Sequence, residues 1–81
     1  MTKQYQAEKN IELSEELMNY LISKKIKARP NYSYVIFVEG NDEFNTMNNK
    51  LVEGLIKEGR KVIKAEKTKN GRKRWIFTTV N

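Results

Sequence analysis

Apolar and polar positions in the amino-terminal third of the chain predict one helix that follows a weakly patterned start. Residues 4–11 alternate only weakly between apolar and polar side chains, so a short edge strand and a frayed terminus both remain as interpretations. Apolar side chains then recur every three or four residues over 17–26, which is typical of an amphipathic helix. Ser14 is a good N-cap and Pro30 prevents continuation, so the first helix is predicted at about 14–28.

A continuous apolar run and a second helical pattern follow. Residues 32–38 read Tyr-Ser-Tyr-Val-Ile-Phe-Val, which suits a central strand because both of its faces are apolar. Either Asn41 or Asp42 can cap the second helix, and Gly59 occupies the usual place of a helix C-cap. Gly54 lies inside this helix, which predicts that another backbone approaches closely at that position.

Two strand patterns near the carboxyl end, at 61–67 and 73–80, flank the sequence Lys69-Asn70-Gly71-Arg72, the strongest hairpin signal in the chain. The predicted order is therefore (β)-α-β-α-β-β. This is an α+β fold with a three- or four-stranded sheet, two helices on one face and a C-terminal β-hairpin. Residues 1–81 are expected to form this single small domain, with 1–12 as an edge strand or a flexible segment.

The register of the hairpin depends on the length of its turn. A two-residue turn would pair Glu66 with Trp75, whereas a three-residue loop pairs Ala65 with Trp75 and Glu66 with Arg74. We expect the second register, because it gathers the large apolar side chains on one face and forms a cross-strand ion pair on the other. Trp75 is then a core residue rather than a platform on which a base stacks.

Composition removes most catalytic chemistry from consideration. The 81 residues contain neither cysteine nor histidine, so the commonest general base and the usual soft metal ligands are missing. Glu39, Asp42 and Glu43 form the only carboxylate cluster on a loop, and helix capping explains the last two. We therefore expect no catalytic residue, no metal, no cofactor and no enzyme.

Excess positive charge lies almost entirely in the hairpin. The chain has a net charge of +6, but residues 1–59 hold eight basic and nine acidic side chains, whereas residues 60–81 hold eight basic side chains against Glu66 alone. Such a cluster of positive charge either keeps an exposed element solvated or binds a polyanion. The candidate nucleic-acid-binding residues are Arg60, Lys64, Lys67, Lys69, Arg72, Lys73 and Arg74. A second basic patch consists of Lys24, Lys25, Lys27 and Arg29.

These observations favour a non-enzymatic, cytoplasmic module that uses its basic hairpin to bind nucleic acid or to act as a regulatory module. The alternative is a protein-interaction module that binds a host or partner protein and inhibits or modulates it, and Tyr32 and Tyr34 are the residues to test. Such a module could also form a homodimer through an edge strand. No apolar run approaches the roughly 18 residues that span a bilayer, and the amino end lacks the apolar segment of a secretion signal. No membrane partner is expected.

Two resemblances add to this interpretation. The order of a helix, a strand, a helical segment and two strands with a basic loop, over residues 14–80, resembles a winged-helix domain, which implies DNA binding. The chain is also similar to small accessory proteins of phages and mobile elements of Gram-positive bacteria in its stretch Ile11-Glu12-Leu13-Ser14-Glu15-Glu16-Leu17-Met18-Asn19-Tyr20-Leu21, which an aromatic-rich strand follows. Many such proteins bind DNA or inhibit a host protein.

Overall fold

The computed structural model describes residues 2–69 and 74–80 and contains two helices and three strands within them. In chain order the elements are α1 (Lys3–Ser23), β1 (Tyr32–Val38), α2 (Asp42–Lys57), β2 (Lys61–Lys67) and β3 (Trp75–Thr79). The predicted α+β class, element order and C-terminal hairpin are confirmed. The chain divides into two compact units, Met1–Pro30 and Asn31–Asn81. That α1 shares one sheet face with α2 in a single domain stays a prediction.

Helix α1 begins at the amino end of the chain, where the Thr2 hydroxyl oxygen accepts the Tyr5 N–H at 3.0 Å and so caps the helix. The edge strand considered for residues 4–11 is therefore wrong, and Ser14 lies within the helix rather than at its start. Residues 4–9 contain no β-branched side chain and are mostly good helix formers. Their helix propensity outweighs the weak alternation.

Helix α1 ends at Ser23, earlier than predicted, in a Schellman motif. Lys25 has a left-handed backbone conformation, with φ 57°. Its N–H donates to the Ile22 carbonyl at 3.1 Å, and the Ile26 N–H donates to the Leu21 carbonyl at 2.9 Å. Glycine usually occupies the left-handed position of this motif, because a side chain is strained there. Because a lysine occupies this position, the sequence does not indicate that the helix ends here.

The sheet of the carboxyl-terminal unit has the strand order β1-β2-β3. Strands β1 and β2 are parallel, with Tyr32 opposite Lys61 and Val38 opposite Lys67, and α2 forms the crossover between them. Strand β3 runs antiparallel on the other side of β2. The central strand is therefore β2, and the prediction that residues 32–38 are central is wrong. Apolar side chains on both faces of a strand do not require a paired strand on both of its edges.

The two ends of α2 follow the predicted capping residues. The Asn41 side-chain oxygen accepts the Phe44 N–H at 3.2 Å, and Gly59 follows the helix with φ 78°. Gly54 differs from expectation, because a Cβ built there would meet no atom of another element within 4 Å. The predicted close approach of another backbone at Gly54 is therefore wrong, and the position is exposed.

Helix α2 packs on one face of the sheet, which we call the α2 face. The core there combines Val35 and Phe37 of β1, Val52 of α2 and Val62 of β2, with Leu55 partly buried against them. Residues two apart on a strand point to the same side, which places both β1 side chains under the helix. The burial of these apolar groups fixes which side of each strand faces α2.

The hairpin has a register that neither sequence alternative contains. Trp75 lies opposite Lys67, two positions from the expected partner Ala65 and one from the alternative partner Glu66. Both alternatives assumed a tight turn, whereas β2 ends at Lys67 and β3 starts at Trp75. Most of the predicted turn, residues 70–73, lies outside the described residues. Because the length of the loop sets the register, the longer connection between β2 and β3 shifts every residue pair of the hairpin.

A shift of two residues preserves the predicted faces of the hairpin. Trp75 and Phe77 share the face opposite the α2 face, and Trp75 is only 5% exposed, which confirms it as a core residue. Glu66 lies opposite Ile76, so the predicted ion pair between Glu66 and Arg74 is wrong.

Candidate nucleic-acid interface at the hairpin loop

The predicted basic residues of β2 do not share one surface. Side chains alternate between the two faces of a strand, so Lys64 and Lys67 point to opposite sides of the sheet. On the α2 face, the Lys64 Nζ lies 4.4 Å from the centre of the Phe37 ring, and this cation–π contact holds the half-buried lysine. Lys67 lies on the other face, opposite Trp75. Lys64 is therefore less available to a phosphate than its sequence position suggested.

Arg60 is separated from the hairpin loop by the length of β2. The strand runs from Lys61 to Lys67, a distance of roughly 20 Å. The Arg60 Nε lies 3.5 Å from the Glu58 Oε2, and both side chains are more than half exposed, at 62% and 64%. An ion pair this exposed contributes under about 1 kcal/mol. Arg60 thus belongs to the end of the sheet that lies away from the loop.

The antiparallel ladder continues past the strand ends at the base of the loop. The Thr68 N–H donates to the Arg74 carbonyl at 2.8 Å. Lys69 and Arg74 flank the loop from its two sides, and both are exposed. Neither side chain forms an ion pair within the described residues. With Lys67 they form a group that we call the loop-end cations.

The sequence around the loop reads Lys-Thr-Lys-Asn-Gly-Arg-Lys-Arg over residues 67–74, with five basic residues and no acid. Arg72 and Lys73, which the sequence also predicts as binding residues, lie outside the described residues. A polyanion that reaches this segment meets a local excess of positive charge.

Lys69 is positioned by the end of β1. Its backbone N–H donates to the Glu39 Oε2 at 2.7 Å. A Cβ built on Gly40 would lie 2.9 Å from the Lys69 Nζ and 3.2 Å from its Cε, so the lysine side chain runs close along the glycine backbone. Sequence reasoning missed both supports, because Glu39 and Lys69 are 30 positions apart and no motif connects them.

The second predicted patch lies in the amino-terminal unit. Lys24 is the C-cap of α1, Lys25 is the left-handed residue after it, and Lys27 and Arg29 follow, all with exposed side chains. Because α1 ends earlier than predicted, its last turn contains no basic residue. The basic residues nearest the negative end of the helix dipole are therefore Lys24 and Lys25, at and just after the C-cap.

The carboxylates near the loop have structural roles. Glu39 accepts the Lys69 N–H, and Asp42 and Glu43 lie in the first turn of α2, where the helix dipole favours negative charge. Within residues 2–69 and 74–80, no group of three or more Asp, Glu, His or Cys side chains could hold a metal ion.

Apolar side chains of α1 fall into a buried set and an exposed set. The buried residues are Leu13, Leu17 and Leu21. Ile11, Met18 and Ile22 are 63%, 60% and 69% exposed. The amphipathic pattern predicted over residues 17–26 thus contains both buried and exposed apolar residues. Neither helix of the described chain is long and apolar enough to cross a membrane.

Tyr32 and Tyr34, the residues predicted for partner binding, are half-buried. The Tyr34 ring meets the Phe77 ring edge-on, with centroids 6.3 Å apart, and the Lys61 Nζ lies 5.7 Å from the centre of the Tyr32 ring. Both tyrosines therefore contribute to packing within their own sheet.

The chain was also compared with protein-family models, curated proteins and solved structures. None of these comparisons finds a match.

Proposed function

We propose that this protein is a non-enzymatic, cytoplasmic nucleic-acid-binding or regulatory module that contacts phosphate groups through the loop-end cations. The observation that supports this best is the geometry at the base of the loop. Lys69 and Arg74 are exposed, flank the loop from both sides and form no ion pair among the described residues. Lysine and arginine side chains that neutralise phosphates release the counter-ions condensed on the nucleic acid, which strengthens binding.

The hairpin holds these cations on a fixed backbone. The hydrogen bond from Thr68 to Arg74 closes the ladder under the loop, and the bond from Lys69 to Glu39 ties the same point to the end of β1. A backbone ordered before binding loses less conformational entropy when the ligand arrives. A protruding β-ribbon with basic side chains can follow phosphates or enter a groove.

Binding through these residues is expected to be independent of base sequence. Lys67, Lys69 and Arg74 offer charge to phosphates, and phosphate contacts position a protein on nucleic acid without reading the bases. Trp75, the aromatic residue next to this group, is 5% exposed and therefore offers no ring on which a base could stack.

The experiment that tests the proposal is a fluorescence anisotropy titration of labelled duplex and single-stranded DNA at about 100 mM salt. Lys69→Ala and Arg74→Ala should each weaken binding several-fold to every sequence tested. Arg60→Ala is the matched control, because it removes the same charge roughly 20 Å away along β2. An equal loss in all three variants would contradict the proposed site, and no binding by the unmodified protein would contradict the function.

A module that binds a host or partner protein is the second candidate, and the exposed apolar residues of α1 favour it. Ile11, Met18 and Ile22 offer the exposed apolar side chains in which interface cores are rich. The similarity to accessory proteins of phages and mobile elements suggests a host protein as the partner class. This candidate predicts that Met18→Asp abolishes binding to that partner, whereas Lys69→Ala leaves it intact.

A further inference from the structure

The two outer edges of the sheet differ in how their backbone groups are bonded. At β1, the Asn45 side chain accepts the Val38 N–H and donates to the Val38 carbonyl, each at 2.8 Å. The fully buried Asn48 donates from Nδ2 to the Ile36 carbonyl at 2.7 Å. Two asparagines of α2 thus occupy backbone groups that an added strand would need, and this edge is protected at its carboxyl end.

Strand β3 leaves its outer edge open within the described residues. Hydrogen bonds at Arg74 and Val80 show that the even-numbered residues of this segment face β2. Trp75, Phe77 and Thr79 therefore direct their N–H and C=O groups away from β2. No described group bonds to the backbone of these three residues on that side.

The sequence of this edge lacks the usual protection against strand pairing. Residues 75–80 read Trp-Ile-Phe-Thr-Thr-Val, without a charge or a proline. Ile76 and Phe77 are 44% and 38% exposed. Natural proteins usually block an open edge with lysine, proline or a bulge, because unpaired backbone groups beside apolar side chains recruit another strand.

We propose that β3 pairs antiparallel with β3 of a second copy of this chain, which joins two three-stranded sheets into one. In this register Phe77 lies on the two-fold axis, and Trp75 lies opposite Thr79 of the second copy. Every outward-facing residue then meets an outward-facing residue, so all the open N–H and C=O groups are paired.

Charge favours the antiparallel orientation of the second copy over a parallel one. With Phe77 on the axis, Arg74 lies opposite Val80 of the second copy. The loop-end cations of the two copies therefore lie at opposite ends of the joined strands. A parallel arrangement would bring them side by side, where like charges repel. The proposal does not depend on nucleic-acid binding, because it uses backbone groups and uncharged side chains only.

Sedimentation equilibrium of the full chain over about 5–500 µM provides the first test. A reversible monomer–dimer equilibrium is expected, because the apparent mass of a two-fold dimer rises to twice the monomer mass and stops there. A monomer throughout the range would overturn the proposal, as would open-ended growth to larger species.

A charge-swap experiment tests the register itself. Ile76 lies opposite Thr78 of the second copy, and both side chains are exposed on the α2 face. The double variant Ile76→Lys/Thr78→Lys places like charges opposite one another and should raise the dimer Kd at least about ten-fold. Ile76→Glu/Thr78→Glu should do the same. An equimolar mixture of the two should recover dimers, because opposite charges then meet.

Ile11→Lys is the matched control, since it introduces the same charge at an exposed apolar residue of α1. It should leave the dimer intact, and loss of the dimer in this variant would overturn the proposal. Failure of the mixture to recover dimers would overturn it too. Circular dichroism verifies that each variant is folded. If a double variant unfolds, Thr79→Pro, which removes an outward N–H and no ladder bond to β2, tests pairing at this edge and should also raise the dimer Kd.

Discussion

Asn45 and Val38 are joined by two hydrogen bonds of 2.8 Å, one in each direction, so the asparagine side chain bonds β1 as a neighbouring strand would. The Val38 carbonyl also accepts the Asn41 N–H at 3.0 Å. The end of β1 and the start of α2 therefore form one bonded corner. Glu39 and Gly40, which lie against Lys69, are part of this corner.

Asn45→Ala should lower the free energy of unfolding by about 1–3 kcal/mol, because the partly buried Val38 N–H loses its partner. Asn49→Ala is the matched control. It is exposed on the same helix and gains the same helix propensity without losing a described bond. Chemical denaturation of both variants measures the difference. Equal stabilities would show that the two bonds contribute nothing.

Trp75→Ala should lower the free energy of unfolding by about 3–5 kcal/mol, because a large buried side chain is removed from the core. Arg74→Ala, at the adjacent exposed position, should cost under about 1 kcal/mol. Urea unfolding followed by circular dichroism compares them without relying on the tryptophan signal. A Trp75→Ala protein as stable as the Arg74→Ala protein would contradict the hairpin register.

Gly40→Ala and Gly59→Ala compare two glycines with positive φ, 85° and 78°. Each should cost about 1–2 kcal/mol of stability, because a side chain is strained in the left-handed region. Only Gly40 has the Lys69 side chain against it. Gly40→Ala should therefore also weaken DNA affinity in the anisotropy titration, and Gly59→Ala should not. The same affinity for both variants would argue against a role for this contact.

Local signals in the sequence were sufficient for β1, β2 and both ends of α2, whereas β3, predicted at 73–80, is the shorter strand Trp75–Thr79. The bounds of β1 and β2 match the prediction, because turn residues bound both strands, and β1 is also a run of β-branched and aromatic residues. The end of α2 at Gly59 was readable for the same reason. At Lys25 the chain ends α1 with the same left-handed backbone conformation, but a lysine does not mark a helix end in the sequence as a glycine does.

Features that depend on distant residues were not readable. The register at Trp75 depends on the length of the loop, and the edge position of β1 depends on which strand the hairpin adds to β2. For the site, the sequence located the positive charge. It did not separate Arg60 and Lys64 from the loop-end cations, because that requires the strand length and the alternation of its faces.

The salt dependence of affinity for duplex DNA tests the central claim most directly. Residues 67–74 hold five basic side chains. If about four of them each neutralise one phosphate, log affinity should fall with log salt at a slope of about −4. Lys69→Ala should make that slope about one unit shallower, and Arg60→Ala should leave it unchanged. A slope near zero, or no binding at micromolar protein and roughly 100 mM salt, would contradict the account.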